Sequence, residues 1–289
     1  MQRQKAIWVI SVIMSVLIIA PGVYHAEQES DMEVHFIDVG QGDSILVQTP
    51  TDKNILIDGG PPQAGEKVTS FLEEQDIKKL DLMIATHPDI DHIGGLLEVM
   101  KSVDVQRIVD TGKIHSTKTY ARYISQVMKR QIPIEIAESN SLLQIDPLLK
   151  VRILNTYSSS ESNNESSIVL KITFNKMDFL LMSDVKKKQE KKLIEKHNLN
   201  SEIVKIAHHG SRTSTSLEFL RKVSPNAAIL TYGKKNEFGH PVDRVMENLN
   251  KVSAAIYPTA AFGDITVRTD GNGFVIYHEN NPLSSLKAG

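Results

Sequence analysis

Apolar and polar positions follow a strand-like pattern over the first part of the chain beyond residue 32. The segment 33–39 alternates between the two kinds of residue and is rich in β-formers, and the segments 43–49 and 54–60 follow after glycine and proline turns. The run 80–86, LDLMIAT, is mostly apolar, as expected for a strand that is buried on both faces. Further strands are predicted at 105–111, 132–138, 150–156, 166–175, 177–184, 202–207, 226–232, 254–259, 263–270 and 273–279.

Helical spacing of apolar residues recurs between these strands. Val68, Phe71, Leu72 and Ile77 share one face of a helix at 65–77. Strands come first, and mixed helices and strands follow. This order predicts the α/β (α+β) class, with two mixed sheets packed together and helices outside. The other predicted helices lie at 94–103, 117–131, 186–198, 216–223 and 241–252.

Composition narrows the chemistry that the chain can perform. Of its 289 residues, 40% are hydrophobic and 24% are charged, which is ordinary for a globular protein. The formal net charge of -2 argues against a module that binds DNA through bulk charge, but not against an enzyme that handles nucleic acid in a local groove. The chain has no cysteine, which excludes disulfides, thiolate metal sites and cysteine nucleophiles. Any metal ion must therefore be held by histidine, aspartate, glutamate, asparagine or water.

The N-terminal segment has the pattern of an export signal. Residues 1–5 carry two positive charges, and about 19 uncharged, mostly apolar residues follow. Residues 1–26 are therefore predicted to be either a signal peptide cleaved after Ala26 or an uncleaved membrane anchor. The domain is expected to be secreted or anchored at the outer face of the cell membrane, with membrane contact only through an uncleaved N-terminal segment. The predicted organisation continues with a linker at 27–32, one domain at 33–279 and a C-terminal tail at 280–289.

The stretch ATHPDIDHIGG concentrates four potential metal ligands within six positions. The predicted strand brings His87 to a strand end, and the proline after it prevents a helix from starting there. Asp89, Asp91 and His92 then project from a tight turn. Helix capping would explain one aspartate, but not two histidines together with two aspartates.

Other potential ligands stand at the ends of predicted apolar strands. Each one alone would be interpreted as a turn residue or a surface histidine. Several strands that end in such residues within one chain instead favour a shared metal site. These residues are Asp58, Asp184, His208 and His209.

The motifs together resemble a known family. HPDIDHIGG is similar to the His-x-His-x-Asp-His signature of the metallo-β-lactamase fold. With it, IDVGQGDSILV, LIDGG, NxxSIVL, LLMSD, HHGS and NEFGHP occur in the order found in the external hydrolase domain of the competence DNA-uptake protein family, ComEC. The resemblance covers roughly residues 33–278 and implies an αββα sandwich, with a metal site at one edge between the sheets. It also implies a hydrolase domain that stands alone behind its own export segment.

The resemblance implies a ligand set as well. Asp184 would bridge two metal ions, and one histidine of the pair His208–His209 would complete the second site. We favour His208 because it shares the strand parity of Val204 and Ile206, and His209 would then contact the substrate. The implied metal ligands are His87, Asp89, Asp91, His92, Asp184 and His208, with His209 as the alternative to His208.

Two departures from the family pattern affect the predicted chemistry. Asp89 replaces the second histidine of the signature, and Asn164 stands where a further histidine is usual. The first site, with His87 as its one clear imidazole, is rich in oxygen ligands and suits Mn²⁺, whereas the mixed second site suits Zn²⁺. The expected cofactor is therefore one or two divalent ions, zinc or manganese, held more tightly at the second site. Asp58 and Asn164 are expected to support the ligands, Asp58 by a hydrogen bond to a ligand histidine.

Catalytic roles follow from the same resemblance. The metal would acidify a water molecule and stabilise charge on a phosphoryl oxygen. Asp89 or Asp91 would take the proton, while His209 and His240 would donate hydrogen bonds to the developing charge. His240 is equally consistent with a structural turn. The lysine-rich segment 186–198 would steer a phosphate backbone, although a solvated helix face is the more ordinary interpretation and few aromatic residues lie nearby.

Three functions are compatible with these observations. The leading hypothesis is an exported, metal-dependent hydrolase of phosphodiesters, with nucleic acid as its partner and DNA as the first choice of polymer. A second hypothesis keeps the site and changes the substrate to an envelope phosphoester, a cyclic nucleotide or a lactam. The third is a metal-binding, weakly catalytic partner of a DNA-uptake complex, motivated by the oxygen-rich first site. The oligomeric state is left open.

Overall fold

Most strands of the described chain belong to two large sheets. The computed structural model describes residues 31–159 and 161–280. The predictions for residues 1–26, for most of the linker and for nearly all of the tail lie outside the described residues. Within them, the strands are β1 (Met32–Phe36), β2 (Ile45–Gln48), β3 (Asn54–Ile57), β4 (Lys79–Leu80), β5 (Leu82–Ala85), β6 (Asp104–Val105), β7 (Ile108–Asp110), β8 (Ile134–Ile136), β9 (Leu142–Leu143), β10 (Leu149–Asn155), β11 (Val169–Phe174), β12 (Met177–Leu181), β13 (Ile203–Lys205), β14 (Ala227–Leu230), β15 (Ala255–Pro258), β16 (Ile265–Thr269) and β17 (Phe274–His278).

Helices occupy many of the connections between these strands. No helix among the described residues is both long enough and apolar enough to cross a bilayer. Three single 3₁₀ turns lie at Pro62–Ala64, Asn164–Ser166 and Ala207–Gly210. The α-helices are α1 (Gly65–Glu74), α2 (Ile90–Ile93), α3 (Leu96–Ser102), α4 (Lys118–Arg130), α5 (Lys187–Lys196), α6 (Leu217–Val223), α7 (Asp243–Lys251) and α8 (Thr259–Phe262).

Each large sheet has an antiparallel part and a parallel part. The first has the strand order β17-β16-β1-β2-β3-β5-β7-β8, and the second has the order β15-β14-β13-β12-β11-β10-β9. The strands β3, β5, β7 and β8 run parallel, as do β12, β13, β14 and β15. A helix connects each parallel step, which places helices against the outer faces of both sheets.

Three buried clusters hold the layers together. One lies between the sheets and includes Ile55 and Ile57 of β3. Leu56, between them in sequence, points the other way and packs in a second cluster with residues of α1, α3 and α4. A third cluster joins the second sheet to α5, α6 and α7. The layers therefore run helix, sheet, sheet, helix, and the predicted αββα fold of two mixed sheets is confirmed.

Two predicted elements are divided in the structure. The helix expected at 94–103 begins only at Leu96, because α2 already makes one turn inside the histidine and aspartate stretch. Gly95 lies between the two helices, where a Cβ atom would collide with the carbonyl oxygen of Gly59. The single strand expected at 105–111 is likewise divided into two strands. β6 pairs with β4, whereas β7 belongs to the first large sheet.

Candidate metal centre

The centre lies at the carboxyl ends of parallel strands. β3 and β5 pair in parallel in the first sheet, so Asp58 and His87 emerge at the same edge. β12 and β13 pair in parallel in the second sheet, and Asp184 and the pair His208–His209 follow their ends. Because the sheets face each other, these chain segments meet at one edge of the sandwich.

Four buried side chains converge there with polar atoms facing one another. His87, His92, Asp184 and His209 are each at most 3% exposed. Oδ2 of Asp184 lies 3.8 Å from Nε2 of His87 and 3.5 Å from Nε2 of His92. Oδ1 of Asp184 lies 3.7 Å from Nε2 of His209. Among the described residues, neither that oxygen nor the three nitrogens have a hydrogen-bond partner. Buried polar atoms are normally paired, so this donor set fits a cation held between them.

Two carboxylates complete the set from the solvent side. Asp89 Oδ2 lies 3.6 Å from Nε2 of His87, and Asp91 Oδ2 lies 3.6 Å from Nε2 of His209. Ligand atoms of His87, His92 and Asp184 lie within 4.8 Å of one another, and so do those of Asp91, His92 and His209. These two groups overlap at His92, and each has the atoms to hold a divalent ion. The side chains of Asp89 and Asp91 are 30% and 29% exposed, so the centre opens to solvent on their side.

Asp58 fixes the orientation of His92. Its Oδ2 accepts a hydrogen bond from His92 Nδ1 at 2.7 Å. The same carboxylate accepts hydrogen bonds from the Thr86 hydroxyl at 2.6 Å and from the Thr86 backbone amide at 2.8 Å. His92 therefore presents Nε2 to Asp184, which is the orientation that a metal ligand requires. Asp58 was predicted at this position from the sequence but Thr86 was not, because a threonine at a strand end carries no signal of its own.

The structure places His209, and not the favoured His208, in the group with Asp91 and His92. The strand β13 ends at Lys205, and both histidines then take left-handed backbone conformations, with φ of 52° for His208 and 55° for His209. Strand parity therefore does not extend to them.

The two faces of β13 are the reverse of those predicted. Val204 and Ile206 pack in the outer cluster against the helices. Lys205 instead points between the sheets, where its ammonium group contacts the carboxylate of Asp43. All three residues of β13 are buried, so a single lysine does not mark a solvent face.

A buried polar network holds His209. Its Nδ1 donates a hydrogen bond to the carbonyl oxygen of Thr231 at 2.7 Å and lies 3.5 Å from Oδ1 of Asp43. Asp43 also accepts a hydrogen bond from the Thr231 hydroxyl at 2.5 Å and forms the ion pair with Lys205. Nε2 of His209 is thereby directed toward Asp91 and Asp184. Sequence analysis did not identify Asp43 or Lys205 as supports of the site.

His208 lies on the more open side of Asp184. Its Nε2 is 3.7 Å from Oδ2 of Asp184, and its side chain is 22% exposed. Asn164 bridges the same two residues, with its Nδ2 3.4 Å from Oδ2 of Asp184 and 3.3 Å from Nε2 of His208. His208 thus reaches the cluster while it remains accessible from solvent.

A further residue of the centre, Asn163, was not anticipated. Its Nδ2 donates a hydrogen bond to Oδ1 of Asp89 at 2.6 Å. Asn163 directly precedes the 3₁₀ turn that begins at Asn164. Two successive asparagines therefore contact Asp89 and Asp184, and the polar loop between β10 and β11 forms one wall of the site.

Helix α5 supports that loop. Lys192 Nζ lies 2.6 Å and Lys188 Nζ lies 3.5 Å from Oε1 of Glu161, and Lys186 Nζ lies 3.9 Å from Oε2 of Glu165. Both glutamates belong to the loop between β10 and β11. Ion pairing to that loop accounts for three of the lysines that sequence analysis considered for phosphate steering.

His240 stands beside the histidine pair. Its ring centroid lies 5.7 Å from that of His208 and 6.5 Å from that of His209. Burial, together with the charges of these two histidines, lowers the pKa of His240 to about 4. His240 is therefore neutral near pH 7.

Charge at the centre is set by burial and by pairing. Burial lowers the pKa of His87. Burial acts in the same direction on His92, but Asp184 and Asp58 overcome it and raise the pKa of His92 well above its usual value. Burial alone would raise the pKa of Asp184, yet His209 and His92 hold it well below its usual range. Protons and metal ions therefore compete for the same ligand atoms.

The sequence of the chain matches one family over most of the described fold. The profile of the family described as "Metallo-beta-lactamase superfamily" matches residues 37–234. The chain belongs to that superfamily.

The similar proteins include competence proteins. ComE operon protein 3 of Bacillus subtilis is 31% identical over 275 residues, which are 89% of this chain and 34% of that protein. Competence protein ComA of Neisseria gonorrhoeae is 27% identical over 257 residues, which are 86% of this chain and 32% of that protein. The chain spans about a third of the length of these relatives. The predicted resemblance to competence proteins is therefore confirmed.

A solved structure shows the same fold. The metallo-β-lactamase fold protein YhfI of Bacillus subtilis matches with a TM-score of 0.57, over 83% of this chain and 100% of that chain, at 13% sequence identity. At that identity the likeness concerns the fold alone.

Proposed function

We propose that this protein is a metal-dependent hydrolase of phosphodiesters and that DNA is its substrate. The observation that carries the proposal is the set of buried imidazole nitrogens and carboxylate oxygens without hydrogen-bond partners at the edge of the sandwich. The similarity to proteins named for competence supports nucleic acid as the substrate class. The accessible carboxylates of Asp89 and Asp91 leave room for a polymer to approach from solvent.

The side chains divide into two ligand groups that share Asp184. Asp91, His92 and His209 would hold the second ion together with one oxygen of Asp184. His87 and Asp89 would hold the first ion with the other oxygen. Because the second group contains two imidazoles and the first contains one, we expect Zn²⁺ to prefer the second group and Mn²⁺ to be accepted at the first.

The surrounding residues position the reactants. When bound, divalent ions at a centre of this kind acidify a water molecule and stabilise charge on a phosphoryl oxygen. Asn163 holds one oxygen of Asp89 by a hydrogen bond, so the other oxygen is directed at the centre, where it would bind the first ion beside His87. His208 and the neutral His240 lie on the accessible side, where the N–H group of His240 would donate a hydrogen bond to the phosphate.

A nuclease assay tests the proposal. The purified protein is incubated with single-stranded DNA and Mn²⁺, and cleavage is followed by gel electrophoresis. We expect cleavage by the wild type and its loss in Asp184→Asn, which keeps the shape of the bridging carboxylate but removes its charge. An Asp184→Asn variant as active as the wild type, or an inactive wild type, would contradict the proposal.

Location outside the cytoplasm is also proposed. The apolar segment within residues 1–26 and the competence relatives support it. Expression in a bacterium with a C-terminal tag tests this location. The tagged protein should appear in the medium or the membrane fraction, and its N-terminal sequence should show whether the chain is cleaved after Ala26. Tagged protein found only in the cytosol would contradict the proposal.

A further inference from the structure

Phe238 is an aromatic ring that the fold leaves in solvent beside the metal centre. Its side chain is 64% exposed. Its ring stacks on that of His240, with centroids 5.6 Å apart and an angle of 24° between the planes. An aromatic residue gains stability mainly from burial, so a ring held this far out of the core contributes little to the fold.

The loop that carries Phe238 is closed by one asparagine. Nδ2 of Asn236 donates hydrogen bonds to the carbonyl oxygen of Gly233 at 2.8 Å and to that of His240 at 2.7 Å. Its Oδ1 accepts a hydrogen bond from the His240 backbone amide at 2.9 Å. Phe238 lies between these anchor points, so its backbone is fixed before any ligand arrives. Fixing a ring in advance lowers the entropy that is lost on binding.

The position of the ring relates it to the metal centre. His240 lies between Phe238 on one side and the pair His208–His209 on the other. The ring is therefore one side chain removed from this histidine pair, on the accessible side of the site.

Positive charge accompanies the ring. Lys234 and Lys235 are exposed in the same loop, and Arg212, which is also exposed, lies close enough to act electrostatically on His240. With the exposed Glu237, the loop still carries one net positive charge. An exposed aromatic ring in a basic loop is a combination with which proteins bind single-stranded nucleic acid, since bases stack on the ring and phosphates are attracted by the charges.

We propose that Phe238 is the platform on which the nucleobase next to the scissile phosphodiester stacks. This inference rests on the proposed function. Every base has a flat face, so the platform selects for an unpaired base and not for a sequence. In a duplex the bases are already stacked on one another, and Phe238 therefore makes single-stranded DNA the preferred substrate.

The experiment compares two oligonucleotides that differ only in their bases. One carries normal bases, and the other carries abasic residues on the same phosphate backbone. kcat/KM for cleavage in Mn²⁺ is measured for the wild type, Phe238→Ala and Phe238→Trp. Binding of both labelled oligonucleotides is measured by fluorescence anisotropy in EDTA, where nothing is cleaved. Tyr277→Ala is the matched control, because Tyr277 is an aromatic residue, 49% exposed, on the edge strand β17.

We expect Phe238→Ala to lower kcat/KM and affinity about tenfold on the oligonucleotide with bases, which is within the range for one stacked base. Phe238→Trp should restore both, and Tyr277→Ala should change neither. The abasic oligonucleotide should not distinguish Phe238→Ala from the wild type.

Three results would overturn the inference. They are no loss in Phe238→Ala, an equal loss on both oligonucleotides, and a change of oligomeric state in Phe238→Ala by light scattering, which would make a second copy of the chain the occupant of this surface. In each of these results the wild type still cleaves DNA, so the proposed function stands. A wild type that cleaves neither oligonucleotide would instead remove the proposed function, and the inference with it.

Discussion

Nδ1 of His92 lies 2.7 Å from Oδ2 of Asp58, and both side chains are fully buried. Asp58 belongs to the turn after β3, whereas His92 belongs to the helix after β5. The parallel pairing of these two strands brings the residues together. The carboxylate accepts the Nδ1 proton, which leaves Nε2 to face Asp184. The ligand geometry of His92 therefore depends on a residue that is not itself a ligand.

Replacing Asp58 should weaken metal binding without unfolding the protein. Asp58→Asn preserves the shape of the side chain, but its amide group cannot hold His92 as a carboxylate does. Loss of such a supporting partner typically costs 10–100-fold in metal affinity, and we expect a loss of about that size for Zn²⁺. Competition with a chromogenic chelator measures it.

Thr86→Val is the matched control for Asp58→Asn. It removes one hydroxyl from the same carboxylate, together with the 3.1 Å contact of that hydroxyl with Nδ1 of His87, and leaves the bond between Asp58 and His92 in place. Its Zn²⁺ affinity should remain within about threefold of that of the wild type. This loss is well below the loss expected when a supporting partner is removed. Equal losses in both variants would mean that the Thr86 contacts or general packing, and not the contact of Asp58 with His92, set the affinity.

The two neighbouring histidines should separate metal binding from turnover. His209→Ala removes a buried imidazole whose Nε2 faces Asp91 and Asp184. Its Zn²⁺ affinity should fall by more than the roughly 100-fold attributed to a lost supporting contact. His208→Ala should keep the metal content of the wild type and lower kcat, because His208 lies on the accessible side of Asp184. Elemental analysis of the purified variants, together with steady-state assays, measures both effects.

The reverse pattern would restore the choice made from strand parity. If His208→Ala loses metal while His209→Ala retains it, His208 is the ligand. Circular dichroism of both variants controls for the cavity left by His209, the more buried of the two histidines.

Hydrophobic periodicity was sufficient to predict the layers of the fold and the location of the site. The apolar run at 80–86 predicts a strand buried on both faces, and Met83 and Ile84 indeed pack in different clusters. Because the next residue, His87, is polar, the end of that strand predicts where the chemistry lies. Local sequence was enough here because the strand and the motif are continuous along the chain.

Contacts between distant segments could not be predicted in this way. The choice between His208 and His209 depends on two left-handed residues after β13 and on the carbonyl oxygen of Thr231, 22 residues away. Asn163 reaches Asp89 across 74 positions from a polar loop without periodicity. Neither relationship leaves a pattern in the local sequence, since the first is created by the pairing of β13 with β14 and the second by the packing of the two sheets.

The buried pair of Lys205 and Asp43 should be costly to break. Neither side chain is more than 2% exposed. Removing one of them would therefore leave the charge of the other buried without its partner. Lys205→Met should therefore lower the free energy of unfolding by about 3–5 kcal/mol. Urea denaturation of the metal-free protein measures the loss without a contribution from bound ions.

The double variant tests whether charge is the cause. Lys205→Met combined with Asp43→Asn removes both charges and should lose clearly less than the sum of the two single variants. Additive losses would show that the ion pair contributes no coupling and that the cost lies in the packing of the lysine side chain.

His35 should make the fold sensitive to acid at a place remote from the metal centre. Its ring lies in β1, 3% exposed, between the Thr266 hydroxyl at 2.8 Å and Oε1 of Gln48 at 2.8 Å. Burial lowers the pKa of His35 in the folded state. The unfolded chain therefore binds a proton more readily than the folded one, and stability is lost as the pH falls below the ordinary histidine value of about 6.5. His35→Asn cannot take up this proton, so its free energy of unfolding should fall less between pH 7 and pH 5 than that of the wild type. The difference between the two proteins should be at most about 1.4 kcal/mol per pH unit. Urea denaturation of both proteins across this range measures the difference, and parallel pH profiles would show that His35 does not contribute to acid sensitivity.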